Sequence, residues 1–219
     1  MIIHSTYGGN TGTSLQIGVT ISNVVVPSVV DGILVLNWGT TIPDLDTAYG
    51  AQNFTRIGFS SDGNRLVAAY FLPRPTVGTA NIVTSFVSSV RGGVFAILLE
   101  GSKTTDYYRG YTGGPGTSQL PSHTATFASG DMAFDILVYG NRDTVGAPLS
   151  ANSGQQIIHN TTVNSGGGAN SYGFVVSYET TDGAMGYTLG TSHLWLHATV
   201  SLKNSDFNAP GLVTIRHAP

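Results

Sequence analysis

The chain has no cysteine among its 219 residues and carries little charge. Disulfides and thiolate chemistry are therefore excluded. Charged residues make up 10% of the chain, against about 25% in ordinary globular domains. So charge-poor a surface favours a protein that is buried in an assembly or acts outside a cell. The net charge of −3 supplies no basic surface, so no nucleic-acid partner is expected.

Long apolar runs and helical periodicity are also missing. No stretch approaches the roughly 18 continuous apolar residues of a membrane helix, so membrane insertion is not expected. The opening residues, MIIHSTYGGNTG, lack the positive region and the apolar run of a secretory signal, so we expect synthesis in the cytoplasm. No window shows the 3.6-residue period of an amphipathic helix.

The chain is rich instead in β-branched residues, aromatic residues and turn signals. Strand-like runs recur along it, separated by turn dipeptides such as Asp31-Gly32, Asp62-Gly63 and Asp182-Gly183. About a dozen strands without helices are typical of two antiparallel sheets packed face to face. The sequence therefore predicts an all-β, two-sheet antiparallel β-sandwich with jelly-roll-like connectivity.

We expect one domain over residues 1–219, and we recognise neither a linker nor an internal repeat. Its core should span about residues 14–203, with an N-terminal arm over 1–13 and a C-terminal extension over 204–219. Three stretches rich in glycine and small polar residues are predicted to be irregular, because such composition is typical of long surface loops. They are Gly101–Ser122, Asn141–Gly154 and Asn164–Asn170.

The stretch TSHLWLHATVSL, Thr191–Leu202, is the most informative strand. Because side chains alternate along a strand, one face is plainly apolar and the other carries His193, Trp195 and His197. A tryptophan between two imidazoles is unusual on a face that should meet water. We therefore predict that a loop, another subunit or a ligand covers it, and that the three residues are interface or glycan-binding candidates.

A second candidate surface is the segment DYYRGY. It concentrates Asp106, Tyr107, Tyr108, Arg109 and Tyr111 in a glycine-rich setting. Tyrosine and arginine are enriched at protein interfaces, and exposed aromatic rings also bind sugar faces. Three interpretations stay open: a protein interface, packing of the loop onto the sandwich, and a ligand site.

Catalytic and metal sites are not expected. The chain has no Gly-x-Ser-x-Gly elbow, and most of its aspartates lie in turn sequences. On a strand, His193 and His197 lie about 13 Å apart, too far to share one ion. A serine–histidine–aspartate triad could be assembled from distant residues, but any serine-rich chain with several histidines permits that. We therefore predict no enzyme activity, no cofactor and no metal.

Several phrases, taken in order, resemble a jelly-roll-like module of tailed-bacteriophage virion proteins and bacterial surface proteins. The similarity spans roughly residues 17–203 and departs from the usual Gly-Gly turn at Gly50-Ala51. The resemblance implies a jelly-roll-like fold and display on a phage particle. It implies no catalytic residue. The phrases are VPSVVDGILVLNWG (Val26–Gly39), AYGAQNFTRIG (Ala48–Gly58), RLVAAYFLPRPTVGTANIVTSF (Arg65–Phe86), VFAILLEG (Val94–Gly101), ASGDMAFDILVYGN (Ala128–Asn141) and HLWLHATVSLK (His193–Lys203).

Composition and resemblance together favour a non-enzymatic structural protein of a phage particle. We expect it on the virion as a head decoration, fibre or tail-tip component that acts by protein–protein adhesion. Its partners would be further copies of itself, with a trimer expected, and other virion proteins. The alternative is a lectin-like, carbohydrate-binding module for attachment to a host-surface glycan.

Overall fold

The computed structural model describes residues 1–10, 15–40, 45–140, 149–163 and 171–205. Within these ranges the chain forms antiparallel strands and no helix, which confirms the all-β prediction. Among the described residues there is accordingly no helix long and apolar enough to cross a membrane.

In the described part of the first half, nine strands form two sheets. A five-stranded sheet has the order β1-β9-β3-β7-β6, and a four-stranded sheet has the order β2-β8-β4-β5. The strands are β1 Ile2–Asn10, β2 Gln16–Val26, β3 Gly32–Thr40, β4 Leu45–Tyr49, β5 Gln52–Asn53, β6 Thr55–Ser61, β7 Arg65–Pro73, β8 Gly78–Val90 and β9 Gly92–Glu100.

Among the residues described in the second half, eight strands also form two sheets. A five-stranded sheet has the order β10-β17-β12-β15-β14, and a three-stranded sheet has the order β11-β16-β13. The strands are β10 Tyr108–Ser118, β11 Ser122–Thr124, β12 Met132–Gly140, β13 Leu149–Ala151, β14 Gln156–Val163, β15 Tyr172–Glu179, β16 Ala184–Leu189 and β17 His193–Leu202.

The two halves repeat one strand order. When β10 to β17 are matched in sequence to β1–β4 and β6–β9, both sheets have the same order in each half, and β5 is the added strand. Bulges also recur at matching places, in β1 against β9 and β10 against β17, and in β6 against β7 and β14 against β15. The repeat lies in the topology of the strands, whereas the expectation from the sequence concerned a repeat in the residues themselves and stays a prediction.

The four sheets stack as four layers, with the two five-stranded sheets in the middle. Their facing sides form the largest core, to which strands of both halves contribute residues such as Trp38, Phe71, Phe134 and Val200. A second core lies under the four-stranded sheet, and smaller ones lie under the three-stranded sheet. The predicted sandwich is thus doubled, while its jelly-roll connectivity stays a prediction.

Central strands are apolar on both faces because both faces are covered. Strand β9 lies between β1 and β3, as expected for a run as apolar as Val94–Leu99. The side chains of strand β12 alternate between two cores, since Phe134 and Ile136 face the shared core while Ala133 and Leu137 face the three-stranded sheet.

Two boundary predictions need correction. Most of the expected N-terminal arm is strand β1, whose Ile3 is buried in the shared core. Half of the expected irregular stretch Gly101–Ser122 is strand β10, paired with β17 over its length. Gly116 explains that difference, because the ring of Trp195 fills the space where a side chain would stand.

Other predicted boundaries lie partly outside the described residues. Residues 141–148 and 164–170, most of the two remaining loop predictions, are among them, while Leu149–Ala151 is strand β13. Of the expected C-terminal extension, Asn204 pairs with Ser102 in a β-bridge, and residues 206–219 are not described.

Candidate functional site

A buried polar cluster lies between the second half's two sheets, around the carboxylate of Asp135. This aspartate stands in the middle of β12 and is fully buried. Its oxygens accept hydrogen bonds from the Tyr187 hydroxyl at 2.7 Å, the Ser177 amide at 3.1 Å and His197 Nε2 at 2.8 Å. Gln155 Nε2 donates to it at 3.2 Å, and the Ser177 hydroxyl donates as well. So many donors stabilise a buried charge that would otherwise be costly.

Ionisable groups in and beside the cluster have shifted pKa values. Burial raises the pKa of Tyr187 far above its ordinary value, and the adjacent Asp135 raises it further. Burial lowers the pKa of His123, and the nearby His197, with ring centroids 5.0 Å apart, lowers it too. The site therefore favours a neutral tyrosine and a neutral His123 around one carboxylate.

The cluster contains the residue types of a catalytic triad in a different arrangement. A serine nucleophile must lie within hydrogen-bond reach of its histidine base. Here the Ser177 hydroxyl donates to Asp135, and the same carboxylate separates it from His197. All three side chains are fully buried beneath the three-stranded sheet. This geometry joins two layers of the fold and presents no nucleophile to a substrate.

The histidine–tryptophan stripe of β17 is covered from within the chain. Trp195 is 9% exposed, and its indole N–H donates to the Ser118 hydroxyl of β10 at 3.1 Å. The ring of His123, from β11, meets the indole edge-on. His193 and His197 are almost fully buried. Of the covers considered for this face, the structure therefore supplies an intrachain one, and the stripe offers no exposed platform.

The segment DYYRGY divides between packing and exposure. Tyr107 packs on Phe71 of the other half, with ring centroids 4.5 Å apart. Tyr111 donates to the Ser60 hydroxyl of β6 at 3.1 Å, so it also joins the halves.

The remaining members of the segment lie nearer the solvent. Arg109 forms an ion pair with the buried Asp131. Tyr108 is 42% exposed, and the exposed carboxylate of Asp106 accepts a hydrogen bond from Lys203 Nζ at 2.6 Å. Only Asp106 and Tyr108 of this segment are thus well placed to meet a partner or ligand.

A polar cavity of about 420 Å³ opens beside Asp106, where the chain passes from one half to the other. Ser102 within it is buried, and its hydroxyl has no hydrogen-bond partner among the described residues. Hydroxyl groups and mixed charge suit a small polar ligand. The lining residues are Asp31, Ser102, Lys103, Thr104, Thr105, Asp106 and Ser205.

Sequence reasoning missed both the Asp135 cluster and the cavity. The cluster had a usable signal, since Asp135 is a lone carboxylate within the otherwise apolar run Met132–Tyr139. The cavity had none, because it joins Asp31 to a segment about seventy positions away and to Ser205, which is farther still. In the part of the chain that the structure describes, no group of three or more histidine or acidic side chains could hold a metal ion.

Comparisons with models of protein families, with curated proteins and with solved structures find no match to this chain. Any function proposed for it therefore depends on the residues and geometry described above.

Proposed function

We propose that this chain is a non-enzymatic structural protein of a tailed-phage particle, displayed on its surface and acting by protein–protein adhesion. One observation carries the proposal: the aspartate, serine and histidine that come together in the structure are used inside the fold. His197, Asp135 and Ser177 hold two layers together, and Trp195 seals the same layer. The described surface is left poor in charge and partly apolar, with exposed side chains such as Val87.

The resemblance of the sequence to phage virion modules supports a location on a phage particle. A doubled sandwich with a shared core is a rigid spacer, because its halves cannot separate without exposing the largest apolar cluster of the molecule. Rigidity of this kind suits a head decoration, a fibre or a tail-tip component.

The test is whether the chain belongs to particles. Particles released by a host that carries the gene are purified on a density gradient, and their proteins are identified by mass spectrometry. We expect the chain to sediment with the particles at constant stoichiometry, and purified protein to rebind saturably to particles that lack it. A chain found only in the soluble fraction, with no rebinding, would overturn the proposal.

A carbohydrate-binding module is the second candidate, favoured by the polar cavity beside Asp106. Its two carboxylates, one ammonium group and several hydroxyls can donate to and accept from sugar hydroxyls. Tyr108 is exposed nearby in sequence. Binding to a glycan array that Asp106→Ala abolishes and Asp46→Ala preserves would support it. Binding that both variants retain would place the sugar elsewhere.

A further inference from the structure

We propose that His123 and His197 bind one divalent transition-metal ion of the zinc class. His123 belongs to β11 of the three-stranded sheet, and His197 belongs to β17 of the five-stranded sheet beneath it. One ring nitrogen of each histidine would be a ligand, so the ion would join the two layers. The ion would act inside each copy of the chain. The inference therefore goes beyond the proposed function and does not depend on it.

Each of the two histidines has a buried ring nitrogen without a hydrogen bond. Nδ1 of His197 and Nε2 of His123 are both shielded from solvent, and neither has a partner among the described residues. The whole side chain of His197 is buried. A buried polar atom that is left unpaired is costly, and native proteins usually satisfy it with water or an ion. Two such atoms on adjacent rings therefore point to a bound species between them.

The hydrogen bonds of the two rings leave a lone pair on each unpaired nitrogen. Nε2 of His197 lies 2.8 Å from the carboxylate of Asp135. An ionised carboxylate only accepts hydrogen bonds, so this nitrogen carries the proton and Nδ1 has the lone pair. The His123 ring has a hydrogen bond to the backbone of Gly114 that favours its protonated form, as a bond to a carbonyl does. Metal-binding histidines are commonly oriented in this way, by a carboxylate or a carbonyl on the far nitrogen.

The spacing of the two rings fits one shared ion. The ring centroids of His123 and His197 are 5.0 Å apart. With metal–nitrogen bonds of about 2.0–2.1 Å and a tetrahedral angle, two imidazoles on one zinc ion have their centroids about 5 Å apart. The sequence excluded a metal on the pair His193 and His197, which is too widely spaced along one strand. The fold brings a different histidine to His197, from a strand that is distant in the chain.

Oxygen atoms would complete the coordination. Thr199 lies on the same face of β17 as His197 and is fully buried, and its hydroxyl has no hydrogen-bond partner in the described part of the chain. Space for a metal-bound water lies beside His197, because a Cβ at Gly114, its partner in register, would meet no atom within 4 Å. Imidazole with oxygen ligands suits Zn²⁺, whereas Ca²⁺ requires oxygen ligands alone. With only two imidazoles, the site should bind Zn²⁺ with a roughly micromolar dissociation constant.

Trp195 allows binding at this site to be observed directly. Its ring centroid lies 6.1 Å from that of His123 and 6.5 Å from that of His197. Co²⁺ occupies zinc sites and quenches nearby tryptophan fluorescence, so it is titrated into the Trp38→Phe chain, in which Trp195 is the remaining tryptophan. We expect quenching that saturates at one Co²⁺ per chain and is reversed by Zn²⁺. Calorimetry with Zn²⁺ and the wild-type chain should give the same stoichiometry, and Zn²⁺ should raise the melting temperature.

His123→Phe keeps a ring against Trp195 but removes the ligand nitrogen, so it should weaken Zn²⁺ binding more than about tenfold. His123→Ala removes the same nitrogen without adding bulk and should have the same effect. His193→Phe is the matched control, because His193 is another buried histidine of β17, and it should preserve the affinity. Circular dichroism confirms that each variant is folded.

Two results would overturn the proposal. A wild-type chain that binds no Zn²⁺ saturably would mean that water alone joins the two nitrogens. Zn²⁺ binding that the folded His123 variants retain at the wild-type affinity, or Co²⁺ binding that leaves the fluorescence of Trp195 unchanged, would place the metal elsewhere on the chain.

Discussion

Trp195 and Tyr111 each lie against a glycine on a neighbouring strand. A Cβ at Gly116 would come within 2.3 Å of the Trp195 ring, and one at Gly58 would overlap the ring of Tyr111. Close contact of this kind lets a large ring lie flat across a strand. Gly116, part of the composition that predicted a loop here, therefore makes room for the ring of Trp195.

Gly116→Ala should destabilise the protein by about 1–3 kcal/mol, the usual cost of overpacking a filled site. Gly114→Ala is the matched control. Gly114 lies on the same strand, and a Cβ there would meet no atom within 4 Å. Urea unfolding measures both free energies. Equal losses for the two variants would contradict the packing argument.

Asp135→Asn tests the buried cluster. The substitution keeps the shape of the side chain but removes the charge that Tyr187, Ser177 and His197 donate to. We expect a loss of about 3–5 kcal/mol in the free energy of unfolding, typical when one member of a buried charged pair is removed. The exposed Asp46→Asn should change it by less than about 0.5 kcal/mol. A similarly small loss at Asp135 would show that the network contributes little.

At the scale of elements, His159 of β14 marks the seam where the two halves meet. Its ring lies between Phe95 of the first half, at 4.6 Å, and Phe174 of the second, at 5.2 Å, measured between centroids. Burial lowers the pKa of His159 below its ordinary value. The folded state therefore favours the neutral form of His159 at this seam.

The sign of the resulting pH dependence follows from linkage. Below about pH 6.5 the unfolded chain takes up a proton that the folded His159 resists, so stability is full above that pH and falls as the pH drops toward the folded pKa. His193 and His123, whose pKa values burial also lowers, act in the same direction.

We therefore expect a lower melting temperature at about pH 5 than at about pH 7.5. His159→Phe should narrow that difference, because the ring stays while the titration is removed. Calorimetry at the two pH values makes the measurement. A wild type whose melting temperature is unchanged, or a variant with the full difference, would contradict this explanation.

At the scale of the whole molecule, the two halves share one core. Trp38 of the first half packs on Phe174 and Tyr172 of the second, and Arg65 donates to the carbonyl of Leu194 at 3.0 Å. Neither half could bury the inner face of its five-stranded sheet alone. The duplicated topology therefore makes one cooperative unit of two similar parts.

Each half contains one tryptophan, which allows that cooperativity to be measured. Trp38→Phe leaves the fluorescence of Trp195, beneath the three-stranded sheet, and Trp195→Phe leaves that of Trp38, in the shared core. Within each variant, the urea transition followed by fluorescence should coincide with the transition followed by circular dichroism. Separate transitions would mean that the halves unfold independently.

The sequence by itself determined the class of fold and the faces of its central strands. Alternation in Met132–Tyr139 and Thr191–Leu202 identifies buried faces because side-chain direction is a local property of a strand. The apolar composition of Val94–Leu99 likewise indicates a central strand, because a strand that is apolar on both faces must be covered on both. Display on a phage particle and adhesion stay predictions, since they depend on resemblance and on partners outside the chain.

Tertiary structure alone decided how the sheets combine. Which sheet covers Trp195, and that Asp135 meets Ser177 and His197, depend on contacts between residues far apart in the chain. The sequence likewise does not reveal the repeat, because many different apolar sequences are compatible with the same strand order. The local pattern of a strand specifies which of its side chains are buried. The packing of the layers specifies which residues those side chains contact.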